Sequence, residues 1–322
     1  MMKIIRRKRH TCKRDPMSLF LFLSVHLAAF LTMLALLFII VYILVKGLPH
    51  LTPDLFALKY TSENVSLLPA LVNTLFITLL SLLFAVPVGI GAAVYLTEYA
   101  RRGNRLVNLV SLTAETLSGI PSIVYGLFGS LFFVKYLGFG LSLLSGALTL
   151  SIMILPLIMR TTEEALKAVP DSYREGSFGL GAGKLRTIFS IVLPCAVPGI
   201  LSGVILGMGR IAGESAALIF TAGTVAEIAP GLLSSARTLS VHMYALSGEG
   251  LYINQTYATA VVLLAMVILI NALSGYAAKK LTQVGTPEPR QKHVRSKMPA
   301  KPLNHTTATN CQQELYRAHT DV

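Results

Sequence analysis

The chain has 322 residues, of which 53% are hydrophobic and only 13% charged. A soluble domain carries about 25% charged residues, so a water-soluble globular protein is excluded. The formal charge of +13 would suit a nucleic-acid binder, but its distribution points to a membrane surface instead.

Residues 1–17 form a basic tail with seven Lys and Arg before Met17, expected in the cytoplasm against anionic headgroups. The cluster Arg6-Arg7-Lys8-Arg9 before an apolar run has the pattern of a secretory signal. That run, Ser18–Val45, is 28 residues long, whereas a signal core has about 7–15, so an uncleaved first span is the reading. Five further apolar runs follow: Leu67–Leu96, Leu106–Val134, Leu141–Met159, Val197–Thr221 and Tyr257–Ala278. Each is close to or above the ~20 residues a helix needs to cross the hydrocarbon. A transmembrane β-barrel is excluded, because its strands would be short and alternating.

Of the 28 Lys and Arg, 23 fall in the N-terminal tail, Glu98–Arg105, Arg160–Ser190 or beyond Ala278. In a six-span chain these segments share one side, and the other side holds only Lys46, Lys59, Lys135 and Arg237. Excess Lys and Arg mark the cytoplasmic side, so both termini are expected there. Six spans require the same-side termini that the charges independently indicate. Cys12, Cys195 and Cys311 have no framework spacing, and the seven histidines are dispersed. Neither disulfides, a metal site nor a catalytic constellation is expected.

Within the third run, Gly119-Ile120-Pro121-Ser122 predicts a kink or break, because Pro removes a ladder hydrogen bond. Ser118 and Ser122 could line a polar path beside it, whereas Glu115 reads as an interfacial carboxylate. The longest loop between spans on the basic side is 160–194. In it Pro170 should end one short helix, with Asp171 or Ser172 capping the next and Glu175 completing a capping box. Gly181 reads as the C-terminal signal, and the chain should re-enter the membrane near Pro194. The segment from Ala222 to Thr256 suggests a short interfacial helix on the far side. Residues 282–322 are poor in large apolar side chains and are expected to stay disordered.

The loop resembles the signature of ABC importer permeases, Glu-Ala-Ala, three residues, Gly, nine residues, Ile-x-Leu-Pro. Glu175, Gly176 and Ser177 take its first three places, Gly181 follows at the right distance, and Ile191, Leu193 and Pro194 complete it. Two small residues replace the alanines, which weakens helix propensity but keeps close packing possible. The resemblance implies an all-α, six-span permease of the type I importer kind, occupying residues 18–281. It also implies a coupling helix that docks on a cytoplasmic ATPase. The glycine-rich stretch Gly179–Lys184 is not a phosphate-binding loop: Phe178 stands where the first Gly is required, and Leu185 follows the Lys. ATP and Mg would therefore belong to a partner subunit, with no cofactor on this chain.

Leu206–Ser215 places Arg210 and Glu214 four residues apart inside the fifth run, about 18 Å beyond Pro198 along a helix. On one helix face the two can pair. A charge at that depth costs ~2.5–3.5 kcal/mol on insertion scales and normally faces a bundle interior or a wet pathway. The guanidinium fork suits a tetrahedral oxyanion, while a structural ion pair is the plainer alternative. Gly209–Glu214, Gly119–Phe128 and Phe220-Thr221-Ala222-Gly223 resemble the A-type membrane subunits of phosphate (Pst) importers over roughly Leu68–Leu281. That resemblance implies that Arg210 and Glu214 serve phosphate passage. It also implies a second, homologous C-type permease, two ATPase subunits, an external phosphate-binding protein and the bacterial cytoplasmic membrane. The alternatives are a permease for sulfate, molybdate or an amino acid, and an ATP-independent channel or secondary transporter. A membrane enzyme is a more distant one.

Overall fold

The computed structural model describes residues 16–100 and 105–285. The N-terminal basic cluster and the expected disordered stretch beyond residue 285 lie outside the described residues. Among the described residues there are eleven α-helices and no strand. In chain order they are α1 (Pro16–Gly47), α2 (Leu68–Val94), α3 (Arg105–Ser118), α4 (Ser122–Gly129), α5 (Leu143–Lys167), α6 (Asp171–Gly179), α7 (Lys184–Thr187), α8 (Leu193–Ala212), α9 (Ala216–Ile219), α10 (Leu239–Glu249) and α11 (Ile253–Gly285). Wider π turns at Tyr95–Tyr99 and Ser130–Tyr136 extend α2 and α4, and a third at Ile188–Val192 joins α7 to α8.

Five stretches are long and apolar enough to cross a membrane: Met17–His50, Leu68–Tyr99, Leu143–Lys167, Lys184–Ala212 and Ile253–Lys280. A sixth is the pair Leu109–Ser118 and Ser122–Tyr136, bent by 104° at the break. The break falls where Gly119 and Pro121 predict it. Pro121 cannot donate to the helix ladder. The Tyr125 hydroxyl instead donates to the Leu117 carbonyl at 2.7 Å, occupying one acceptor that the broken helix frees.

The fifth span departs from expectation at both ends. Helix begins at Lys184 rather than near Pro194, and it stops at Ala212 rather than running to Thr221. Gly213 closes α8, and the chain restarts as the short α9. The Ser240 hydroxyl, from α10, donates to the Glu214 carbonyl at this second break. A backbone acceptor is thereby satisfied from outside the span, as a broken membrane helix requires.

The centre of the bundle is the seam between α2 and α5. Buried hydroxylated residues line both helices, Thr74, Thr78 and Ser81 on α2 and Ser145, Thr149 and Ser151 on α5. Of these, Thr74 accepts from the Leu239 N–H of α10 and Thr149 lies against Gly129 of α4. The Ser151 hydroxyl donates to the Ser81 carbonyl at 2.9 Å across the seam. Such residues allow close helix approach, and their hydrogen bonds contribute about 0.6 kcal/mol each in membranes. Three apolar clusters surround this seam. The largest joins α2, α4, α5, α8 and α9 through residues such as Ile77, Tyr125, Leu150, Ile154, Ile211 and Leu218. A second, at the α6 end of the bundle, joins Val94, Leu96, Leu166, Val169, Ile188 and Val192. The third, at the opposite end, joins Leu55, Leu67, Leu239 and Ala258. Outside all three, α1 is apolar on every side with most of its side chains exposed. It meets α11 through Tyr42 and Tyr257, whose rings lie edge to face 5.8 Å apart. A helix apolar all round needs lipid or another protein surface around it.

Candidate functional site

Two arrangements carry the sequence-derived candidates. The first is the segment after α5. No separate short helix precedes Pro170, because α5 runs unbroken from Leu143 to Lys167. Pro170 then starts α6, and no side chain caps it: the Ser172–Glu175 capping box does not form. Asp171 is engaged elsewhere, its Oδ1 accepting from Arg174 Nη1 at 3.1 Å. At the other end Gly181 has φ +80°, the left-handed conformation that glycine adopts without a Cβ penalty. Its N–H bonds the Phe178 carbonyl and the Ala182 N–H bonds that of Ser177, closing α6 in a Schellman motif.

Ser177 is buried, and its hydroxyl pairs with Thr187 Oγ1 at 2.8 Å, seating α6 against α7. Glu175 and Gly176 are exposed, as are the apolar side chains of Tyr173, Phe178, Leu180 and Leu185. Ile191 and Leu193 are half-buried, and Pro194 lies exposed in the first turn of α8. A cavity of about 580 Å³ opens beside α6, lined by Tyr173, Gly176, Leu180, Arg186 and Ile191 among others. The segment thus presents an apolar surface next to a concavity.

Arg174 holds this unit, and sequence reasoning passed it over. Its guanidinium reaches Glu98 at 2.7 Å, the Val169 carbonyl at 2.8 Å and the Leu166 carbonyl at 3.0 Å. The hydrogen bond it donates to Glu98 is the main influence raising its pKa, working against its burial. Glu98 lies in the π turn after α2, 76 residues earlier in the chain. The available signal was weak: an acid beside the arginines of the turn at Glu98–Arg105, and a basic residue within the loop motif.

The second arrangement surrounds Arg210. A cavity of about 480 Å³ is lined by Ser111, Glu115 and Ser118 of α3, by α5 from Met153 to Lys167, and by Arg210. Met153 lies ten residues into α5, about 15 Å along its axis, close to half of a ~30 Å hydrocarbon layer. The expected pairing with Glu214 does not occur. Because α8 ends at Ala212, the two residues do not share a helix face, and no ion pair joins them. Glu214 Oε1 accepts instead from the Ala217 N–H at 3.2 Å, in the first turn of α9. Arg210 is exposed, with Tyr125 within its electrostatic reach.

The two broken spans meet beside this cavity. Gly126 of α4 packs so tightly on Ala217 of α9 that a Cβ there would lie 2.8 Å from the Ala217 Cα. Toward the α6 end, Arg160 lies 3.7 Å from Glu115 and 3.6 Å from Glu164, all three exposed. Ser118 lines the cavity and Ser122 does not. The wall mixes the cations Arg160, Lys167 and Arg210 with the carboxylates Glu115, Glu163 and Glu164 and the hydroxyls of Ser111 and Ser118. The Arg210 guanidinium offers a fork of donors that suits an oxyanion, while the carboxylates oppose one.

Residues 85–283 match the model of the binding-protein-dependent transport system inner membrane component family. The chain belongs to that family, and is a membrane transport component rather than an enzyme. Among curated relatives, the probable ABC transporter permease protein YqgI of Bacillus subtilis is 33% identical over 65% of this chain and 76% of its own length. The phosphate transport system permease protein PstA of Pasteurella multocida is 37% identical over 66% and 75%. For PstA 1 of Mycobacterium tuberculosis the identity is 41% over 48% of this chain and 50% of the relative, so the match spans half of that protein. Among solved structures, a bacterial alginate ABC transporter in complex with a periplasmic protein aligns over 86% of this chain and 99% of its own, with a TM-score of 0.63 and 18% identity. The MetNI methionine ABC transporter aligns over 67% and 94%, with a TM-score of 0.52 and 22% identity. These likenesses show the fold of an ABC importer permease.

Proposed function

We propose that this chain is a membrane-spanning permease subunit of an ATP-driven phosphate importer in a bacterial cytoplasmic membrane, with both termini on the cytoplasmic side. A second, homologous permease completes the translocation path, two ATPase subunits carry ATP and Mg, and an external binding protein delivers phosphate. The observation that carries the reading is Arg210 at mid-depth in a polar cavity, in a chain whose relatives include named phosphate permeases. An uncovered guanidinium at that depth is costly. Its exposure in the single chain therefore fits a site that the second permease covers.

Arg210 offers the passing anion a planar fork of donors. Its hold must stay shallow, since a deep well would slow release. Glu214 acts indirectly, by setting the start of α9 opposite the cavity. On the cytoplasmic side, Glu175–Gly181 docks on the ATPase through the exposed face of α6, and Ile191-Val192-Leu193-Pro194 passes that movement into α8. The test is labelled-phosphate uptake in cells lacking their own phosphate importer and supplied with this chain and its partners. Uptake should vanish when the ATPase is deleted and resist competition by sulfate or molybdate. Persistence without the ATPase, or efficient competition, would contradict the reading.

A further inference from the structure

The α6 end of the bundle is built as one block. The cluster Val94, Leu96, Leu166, Val169, Ile188 and Val192 ties together the ends of α2 and α5 and the start of the α8 span. Above it sits α6, hung from Arg174. Of the acceptors around Arg174, the Leu166 and Val169 carbonyls belong to α5 and its C-terminal turn, and Asp171 belongs to α6 itself. The Glu98 carboxylate alone belongs to α2's extension. It accepts from Nη2 at 2.7 Å and from Nε at 3.2 Å, and the two side chains are only 15% and 9% exposed. A second tie reaches the same π turn from α7, where Lys184 Nζ lies 4.9 Å over the Tyr99 ring. Ser177 and Thr187 close the square between α6 and α7.

We infer that Glu98 and Arg174 are a positioning pair for transport: they fasten α6 to α2, so that a push on α6 moves α2, α5 and α8 together. The inference rests on the reading of α6 as the ATPase contact. Without the pair, force on α6 still reaches α5 through its own carbonyl anchors, but it reaches the α2 end only through the apolar cluster and the Lys184–Tyr99 contact. The push is then passed on less stiffly, and more ATP is spent for each opening of the path. A buried, multiply bonded pair of this kind is rigid where an exposed one is not.

Glu98→Gln separates this role from mere folding. The amide keeps the shape, removes the charge, and leaves Arg174 bonded to Leu166, Val169 and Asp171, so α6 stays hung on α5. In the reconstituted complex, phosphate taken up and ATP hydrolysed are measured together, with the amount of co-purifying ATPase. Glu98→Gln should keep the ATPase bound and hydrolysing while phosphate imported per ATP falls about tenfold, within the usual range of coupling between sites. Arg174→Lys, which keeps the charge and loses the fork, should give a smaller fall in the same ratio. An unchanged ratio in both variants overturns the inference, as does a parallel loss of transport and bound ATPase. Should the unaltered complex show no ATP-dependent phosphate uptake, it is the proposed function that fails.

Discussion

Arg210 and Glu214 were expected as an ion pair on one helix turn, and the structure places them apart. Arg210 lies in the last turn of α8 and lines a cavity; Glu214 lies between the helices, its carboxylate accepting from the Ala217 N–H of α9. Arg210→Ala should therefore lower phosphate uptake at least tenfold, about 1.4 kcal/mol, while the partner subunits still co-purify. Retained uptake would remove the anion role. The i, i+4 spacing could not reveal the break, because Gly213 is tolerated in helices and no proline marks it. His242 tests the opposite end of the bundle. It is fully buried against Arg237 and Tyr60, and burial first, then the Arg237 charge, lowers its pKa from 6.5 to about 4. Its contribution to stability is complete above pH 6.5. It falls as pH drops toward 4, where the unfolded chain takes a proton and the folded one does not, a loss of ~3 kcal/mol in all. The unfolding temperature of the purified protein should decline across that window, less so in His242→Gln; identical profiles would contradict the assignment.

Between elements, the close approach of the broken spans depends on glycine. A Cβ at Gly129 would overlap Thr149 Oγ1 and crowd the Thr221 methyl, and one at Gly126 would meet the backbone of Ala217. Gly129→Ala should destabilise the bundle by about 1–3 kcal/mol, the usual cost of overpacking, whereas Gly176→Ala should be nearly neutral, since nothing stands within 4 Å of a Cβ there. Thermal unfolding of the two variants compares them directly, and equal effects would contradict the close approach of α4 to α5 at Gly129. At this scale the sequence was legible wherever chemistry is local. Pro121 and Gly119 announce the bend, and Pro170 and Gly181 bracket α6. The tie from Arg174 to Glu98 spans 76 residues, and no periodicity within one chain encodes a partner that distant. Pro194 misled for a related reason: proline is tolerated in the first turn of a helix, but here a π turn and α7 already extend the span behind it.

Across the whole molecule, composition and the apolar runs were enough for an all-helical membrane protein of six spans, the bent pair counted as one, since a bilayer leaves the backbone few choices. They said nothing of which faces are left open. The all-round apolar surface of α1 needs lipid or another protein around it, the proposed partners lie against α6 and the Arg210 cavity, and a single sequence does not contain its partners. The measurement that bears most directly on the account is labelled-phosphate uptake into proteoliposomes holding this chain with its second permease and ATPases, supplied with the binding protein outside and ATP on the ATPase side. Uptake that requires both ATP and the binding protein, and that Arg210→Ala abolishes without loss of the assembled complex, is the predicted result. Uptake without either requirement, or undiminished in Arg210→Ala, would contradict it.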